Sequence, residues 1–133
     1  MTYRSRRTRC FIENLVYSMY KVKKRIVISA AHYLKLDYES KCTNLHGHNW
    51  IIDVYLKSRT LDKNGMVMDF SLIKKKIKDA LDHKVINDVI DVNPTAENIA
   101  FWVCEQLQPY CYRVDVEESP QNSASYEKDD TAE

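Results

Sequence analysis

Hydrophobic and polar positions divide the chain into short, distinct stretches. From Tyr20 to Ala31 (YKVKKRIVISAA) the sequence is rich in β-branched residues and reads as a strand. A period of two puts Lys24, Ile26, Ile28, Ala30 and His32 on one face. Lys35 to Thr43 is polar and reads as a loop. His48 to Leu56 (HNWIIDVYL) is a second strand, with His46, His48, Trp50, Ile52, Val54 and Leu56 on one face. Asp62 to Gly65 (DKNG) is a turn signal, and Met66 to Phe70 is expected to resume extended structure. Strands joined in this way imply antiparallel pairing.

Helical periodicity follows. Leu72, Ile73, Ile77, Ala80 and Leu81 predict an apolar helix face from Ser71 to about Leu81, with most of the neighbouring lysines in water. Asn93-Pro94-Thr95 opens a second helix, Pro94 suiting the first helical position, and that helix stops before Pro109. Cys111 to Glu118 alternates as a third strand, and Ser123 to Tyr126 is a weaker fourth. The order is ββααβ or ββααββ, an α+β fold. Helices on one face leave the sheet's edges open, which predicts a homo-oligomer.

Composition narrows the classes. At 133 residues, 44% hydrophobic and 29% charged, the chain has the size and composition of one globular domain. A net charge of +1 gives no field that favours nucleic acid or a membrane surface, and no apolar run is long enough to span a bilayer. Four cysteines without CxxC pairing suggest a reduced, cytoplasmic setting. Two glycines exclude a glycine-rich phosphate loop. Residues 1–18 read as a basic extension, either disordered or upstream of the true start, because Met19 directly precedes the first strand. An arginine-rich, acid-poor transit peptide shares part of this composition. Residues 19–126 form the domain proper, and 127–133 read as a polar tail.

The candidate chemistry centres on histidines. His46 and His48, two apart on a strand, point to the same side, and His32 ends the strand expected beside them. Three imidazoles from a rigid sheet suit zinc and leave a fourth position open, although other transition metals accept imidazole and HxH can be plain surface polarity. Cys42 could be a fourth ligand, an inert buried thiol, or a base near the metal. Asp82-His83 is either a helix-terminal pair or an oriented imidazole for proton transfer. Glu118, on a face with Val114 and Val116, must be paired or must end its strand in solvent; a guanidine-like ligand edge would pair it bidentately.

Together Ser29-Ala30-Ala31-His32, Cys42-xxx-His46-Gly47-His48, Gly65-Met66-Val67-Met68-Asp69-Phe70, Leu81-Asp82-His83, Asn93-Pro94-Thr95-Ala96-Glu97-Asn98 and Val116-Glu117-Glu118-Ser119 resemble the 6-pyruvoyl- and 6-carboxy-tetrahydropterin synthase family. The resemblance implies the tunnelling fold, whose ββααββ units form trimers around a twelve-stranded antiparallel barrel, commonly stacked as hexamers. It implies Zn2+ on His32, His46 and His48, Cys42 as catalytic cysteine, and Asp82 with His83 as a second proton-transfer pair reaching a neighbouring chain's site. It makes Glu118 the pterin anchor, with Thr95 near the pterin. The implied substrate is the small molecule 7,8-dihydroneopterin triphosphate. The product would be 6-carboxy-5,6,7,8-tetrahydropterin, with acetaldehyde and triphosphate released, toward queuosine or another 7-deazapurine. Three residues between Cys42 and His46 match this branch, since animal pyruvoyl enzymes typically carry a longer insertion. Triphosphate elimination alone, or a non-catalytic zinc-binding oligomer, are the alternatives.

Overall fold

The computed structural model describes residues 18–129. Four strands form one antiparallel sheet in chain order: β1 (Tyr20–His32), β2 (His46–Ser58), β3 (Cys111–Ser119) and β4 (Asn122–Glu127). Helices α1 (Phe70–Leu81) and α2 (Ala96–Gln106) intervene between β2 and β3. The expected α+β order, ββααββ, is the one found.

Register explains why one face becomes the core. Ile26 stands opposite Ile52, Ile28 opposite Trp50, and Ala30 opposite His48. Ile52 in turn faces Val116, and Val54 faces Val114. Every second residue of three strands therefore points to the same side, where Ile73, Ile77 and Leu81 of α1 and Ile99, Ala100 and Val103 of α2 cover them. Trp50 is fully buried, and its indole N–H donates to the Ala30 carbonyl at 3.1 Å, so the largest core side chain has no unmet donor. The same register carries the chemistry: the last pair of the β1–β2 ladder is His32 opposite His46.

Several expectations need correction. Met66 to Phe70 is not a strand. The turn itself is real, with Gly65 at φ 80° and Asp62 accepting from the Asn64 and Met66 amides, but the chain then runs directly into α1. Asp69 caps that helix by accepting from the Ser71 amide at 2.8 Å, which leaves no length for a ladder. Leu72 lies off the buried stripe of α1 and is exposed. Pro94 precedes the cap of α2 instead of filling its first turn; Thr95 is the cap and accepts from the Asn98 amide. β2 begins at His46, two residues early, and β4 reaches Glu127, where the polar tail was expected to start. The basic extension lies outside the described residues apart from Ser18, as does the tail beyond Asp129.

β1 and β4 are the sheet edges. Near its end β1 is partly covered: after α1 the chain folds alongside it, His83 N–H donating to Ser29 C=O at 2.7 Å and Ala31 N–H to Lys84 C=O at 3.0 Å.

Candidate metal centre

His32, His46, His48 and Glu118 each bring a ligand atom to one region, and these atoms lie within 4.8 Å of one another. β1 contributes the first, the head of β2 the next two, and the end of β3 the carboxylate. Hydrogen bonds decide which nitrogens face inward. His32 Nδ1 lies 2.8 Å from the Pro94 carbonyl, and His46 Nδ1 lies 2.7 Å from the Asn44 carbonyl. A carbonyl can only accept, so each Nδ1 carries a proton, and the tautomer this selects for a neutral ring has its lone pair on Nε2, facing inward. This is the support that metal-binding histidines receive from their surroundings. Burial pushes the His32 imidazole further toward its neutral form, and His46 and His48 add to this, with the Pro94 carbonyl and Glu118 opposing.

Nothing within the described residues satisfies these inward atoms. His32 Nε2 and His48 Nε2 are buried without a hydrogen-bond partner. Glu118 Oε1 approaches them to 3.2 and 3.0 Å, near enough for an ion pair yet not in hydrogen-bond alignment. Lone pairs and a carboxylate converging on one point repel one another unless a positive charge lies between them. The three imidazole nitrogens, with a carboxylate oxygen close by, fit zinc or another first-row transition metal. Trp50 walls the cluster, its ring 4.8 Å from that of His32 and 5.1 Å from that of His48.

The other expected residues lie outside this group. Cys42 sits half-buried in a 3-10 turn, Lys41–Thr43, and does not belong to the converging ligand group. Its fourth-ligand reading therefore has no geometric support. Thr95 is adjacent to the cluster through its neighbour Pro94, but its hydroxyl is engaged in capping α2. Asp82 is the C-cap of α1, and His83 follows in the left-handed region at φ 58°. That position after a helix ordinarily takes glycine, so a histidine there holds mild strain. The break in the helix is what lets sequence neighbours face each other: His83 Nε2 stands 3.5 Å from Asp82 Oδ2, while Asp82 Oδ1 accepts from the Ser29 amide. The ring of His83 is 82% exposed. It shares the wall of an open cleft of about 500 Å3 with His48, Ser29 and Asn49.

Sequence reasoning assigned Glu118 only to ligand binding and missed that it reaches the histidines. It also missed the Pro94 and Asn44 carbonyls. No side-chain pattern marks a backbone acceptor, and the only available signal was that Pro94 and Asn44 lie within the segments quoted as motifs.

Residues 21–129 match the family model described as 6-pyruvoyl tetrahydropterin synthase. The chain is 36% identical to a 6-carboxy-5,6,7,8-tetrahydropterin synthase of Synechocystis, over 81% of this chain and 93% of that protein. It is 33% identical to a 6-pyruvoyl tetrahydrobiopterin synthase of Dictyostelium discoideum, over 77% of this chain and 92% of that protein. Among solved structures, Caenorhabditis elegans 6-pyruvoyl tetrahydropterin synthase superposes with a TM-score of 0.68 at 27% identity, covering 84% of this chain and 97% of that one. The single-chain topology is that of the tunnelling fold. No helix among the described residues is long and apolar enough to cross a membrane.

Proposed function

We propose that this chain, which belongs to the 6-pyruvoyl tetrahydropterin synthase family and is an enzyme of its lyase type, converts 7,8-dihydroneopterin triphosphate and one water to 6-carboxy-5,6,7,8-tetrahydropterin, acetaldehyde and triphosphate. The convergence of His32, His46 and His48, with two buried Nε2 atoms unpartnered, carries the proposal. These three residues would hold zinc. Bound there, zinc would supply Lewis acidity to the hydroxyls of the substrate side chain.

The chain's own groups do the rest. Cys42, outside the ligand group yet on the loop that leads into His46, moves a proton between the substrate side chain and the ring. His83, oriented by Asp82, serves the second proton transfer. The exposure of the His83 ring, on the segment that lines the end of β1, suits service to a neighbouring chain, in trimers whose sheets join edge to edge into a twelve-stranded barrel and stack as hexamers. Glu118, whose carboxylate lies 3.2 and 3.0 Å from the Nε2 atoms of His32 and His48, anchors the pterin through its 2-amino and adjacent N–H edge. Thr95 lies close to the ring. Residues 19–126 constitute the catalytic domain, and the setting is cytoplasmic, in 7-deazapurine synthesis such as that of queuosine.

The second reading, loss of triphosphate alone to give the pyruvoyl product, is favoured by the likeness to the Dictyostelium protein. The three-residue spacing from Cys42 to His46 favours the carboxy product. Incubating zinc-loaded protein with dihydroneopterin triphosphate and identifying products by mass separates the two. Acetaldehyde with the carboxy product supports the proposal; a retained three-carbon side chain establishes the alternative; no turnover of this substrate contradicts both.

A further inference from the structure

The chain leaves His32 through Tyr33, Leu34 and Lys35, which carry no regular secondary structure. Two asparagine side chains treat this segment as though it were a strand. Asn87 accepts from the Tyr33 amide at 3.0 Å and donates to the Tyr33 carbonyl at 2.8 Å. Asn93 repeats the arrangement at Lys35, with 2.9 and 3.0 Å. A primary amide offers one acceptor and donors side by side, so each asparagine reproduces the paired bonds of a neighbouring strand residue. Leu34, between them, turns its amide the opposite way and donates to the carbonyl of Cys42 at 2.8 Å. One edge of the segment is thus held by Asn87 and Asn93, and the other edge holds Cys42.

The support beneath this edge is rigid. The Asn93 carbonyl accepts from the Thr95 amide at 2.8 Å and from the Asn98 side chain at 2.9 Å, which fastens it to the start of α2. The next carbonyl, that of Pro94, accepts from His32. The cysteine turn and the first histidine are therefore referred to the same few residues.

We propose that Asn87 and Asn93 are positioning residues that hold the Cys42 turn in place relative to His32. The proposal rests on the assignment of Cys42 to proton transfer. Removing both amides leaves four backbone groups of Tyr33 and Lys35 without their partners, and the segment is then free to drift. A shift of about 1 Å in a proton-transfer group costs turnover on the order of 10²-fold without weakening substrate binding elsewhere.

The test is the Asn87→Ala/Asn93→Ala variant, in zinc-loaded protein, with four readings: zinc per chain, KM, kcat, and the rate at which iodoacetamide alkylates Cys42. Peptide mass separates Cys42 from the other cysteines. Zinc and KM are expected to stay at parental values, while kcat falls by about 10- to 100-fold and alkylation of Cys42 accelerates several-fold. Unchanged alkylation, whatever happens to kcat, overturns the proposal, and so does loss of zinc, which would place the asparagines in support of His32. Faster alkylation with unchanged kcat upholds the positioning and removes Cys42 from proton transfer. If the double variant does not fold, Asn87→Ala alone, which leaves every Asn93 and Pro94 contact in place, is read in the same way.

Discussion

Asp115 and Glu118 are carboxylates three residues apart on β3, and their side chains are almost equally exposed, 25% and 26%. Their surroundings differ completely. Asp115 accepts from Arg113 at 2.9 and 3.3 Å, from the Tyr55 hydroxyl at 3.1 Å and from Ser125 at 2.6 Å. Burial opposes its charge, but the hydrogen bonds from Ser125, Arg113 and Tyr55 prevail and hold it below the usual carboxylate range. Asp53, on the same face of the sheet, is likewise held low by Arg25 with help from Lys23, against the effect of burial. Glu118 meets two imidazole nitrogens, and neither contact is an aligned hydrogen bond. Equal exposure therefore does not mean equal purpose. The Asp115 carboxylate is satisfied by its own chain, whereas Glu118 and the imidazoles converge without aligned partners, as a group that could hold a cation does.

The contrast can be broken in order of expected effect. Cys42→Ala should abolish turnover, a loss on the order of 10²–10⁴-fold, with zinc content and melting temperature kept. Zinc lost together with activity would place the thiol among the ligands after all. His83→Ala should slow turnover strongly at unchanged zinc; an unchanged rate would reduce the Asp82–His83 pair to a helix terminus.

Glu118→Gln is the next largest. Glutamine keeps the shape but replaces one acceptor with a donor, a mismatch costing on the order of 1–3 kcal/mol in pterin affinity. Titration with biopterin at full zinc occupancy measures it, and Glu117→Gln is the control. A fall in zinc affinity larger than the fall in pterin affinity would make Glu118 chiefly a metal ligand.

The smallest effect belongs to the satisfied side. Asp115→Asn should lower the melting temperature by a few degrees and leave zinc and turnover alone. The pH dependence has a definite sign. Asp53 and Asp115 have folded pKa values below their unfolded ones, so their contribution is fully present above about pH 4 and is lost as pH falls through the depressed values. Thermal melts from pH 6 downward should show the parent losing this increment and Asp115→Asn losing less of it. Equal acid sensitivity would mean that Asp115 is not held by its neighbours in solution.

The strands were legible because their side-chain period is two and one face is buried. Ile26, Ile28, Ile52 and Val54 announced both the sheet and its inner side. The same period put His32, His46 and His48 together before any coordinates, since residues sharing a strand face with the core must follow that face to its end. The helices were legible except where local chemistry overrode the pattern. Asp69 starts α1 one residue earlier than the apolar stripe suggested, and Thr95 takes the cap that would have made Pro94 helical. Met66 to Phe70 misled because a short apolar run fits a connector as well as a strand. What stayed hidden were contacts made by backbone carbonyls and by loop asparagines. Asn87 and Asn93 have no periodicity to betray them, and their partners at Tyr33 and Lys35 lie more than fifty residues away in sequence.

One measurement bears most directly on the central claim, that three imidazoles of a single chain form an open metal centre. Crystals of zinc-loaded protein should be recorded above and below the zinc absorption edge. One anomalous peak per chain is expected, about 2.0–2.1 Å from the Nε2 atoms of His32, His46 and His48, with Cys42 outside the coordination sphere. A peak bound to Cys42 Sγ, a peak at another site, or no peak at full loading would contradict the account.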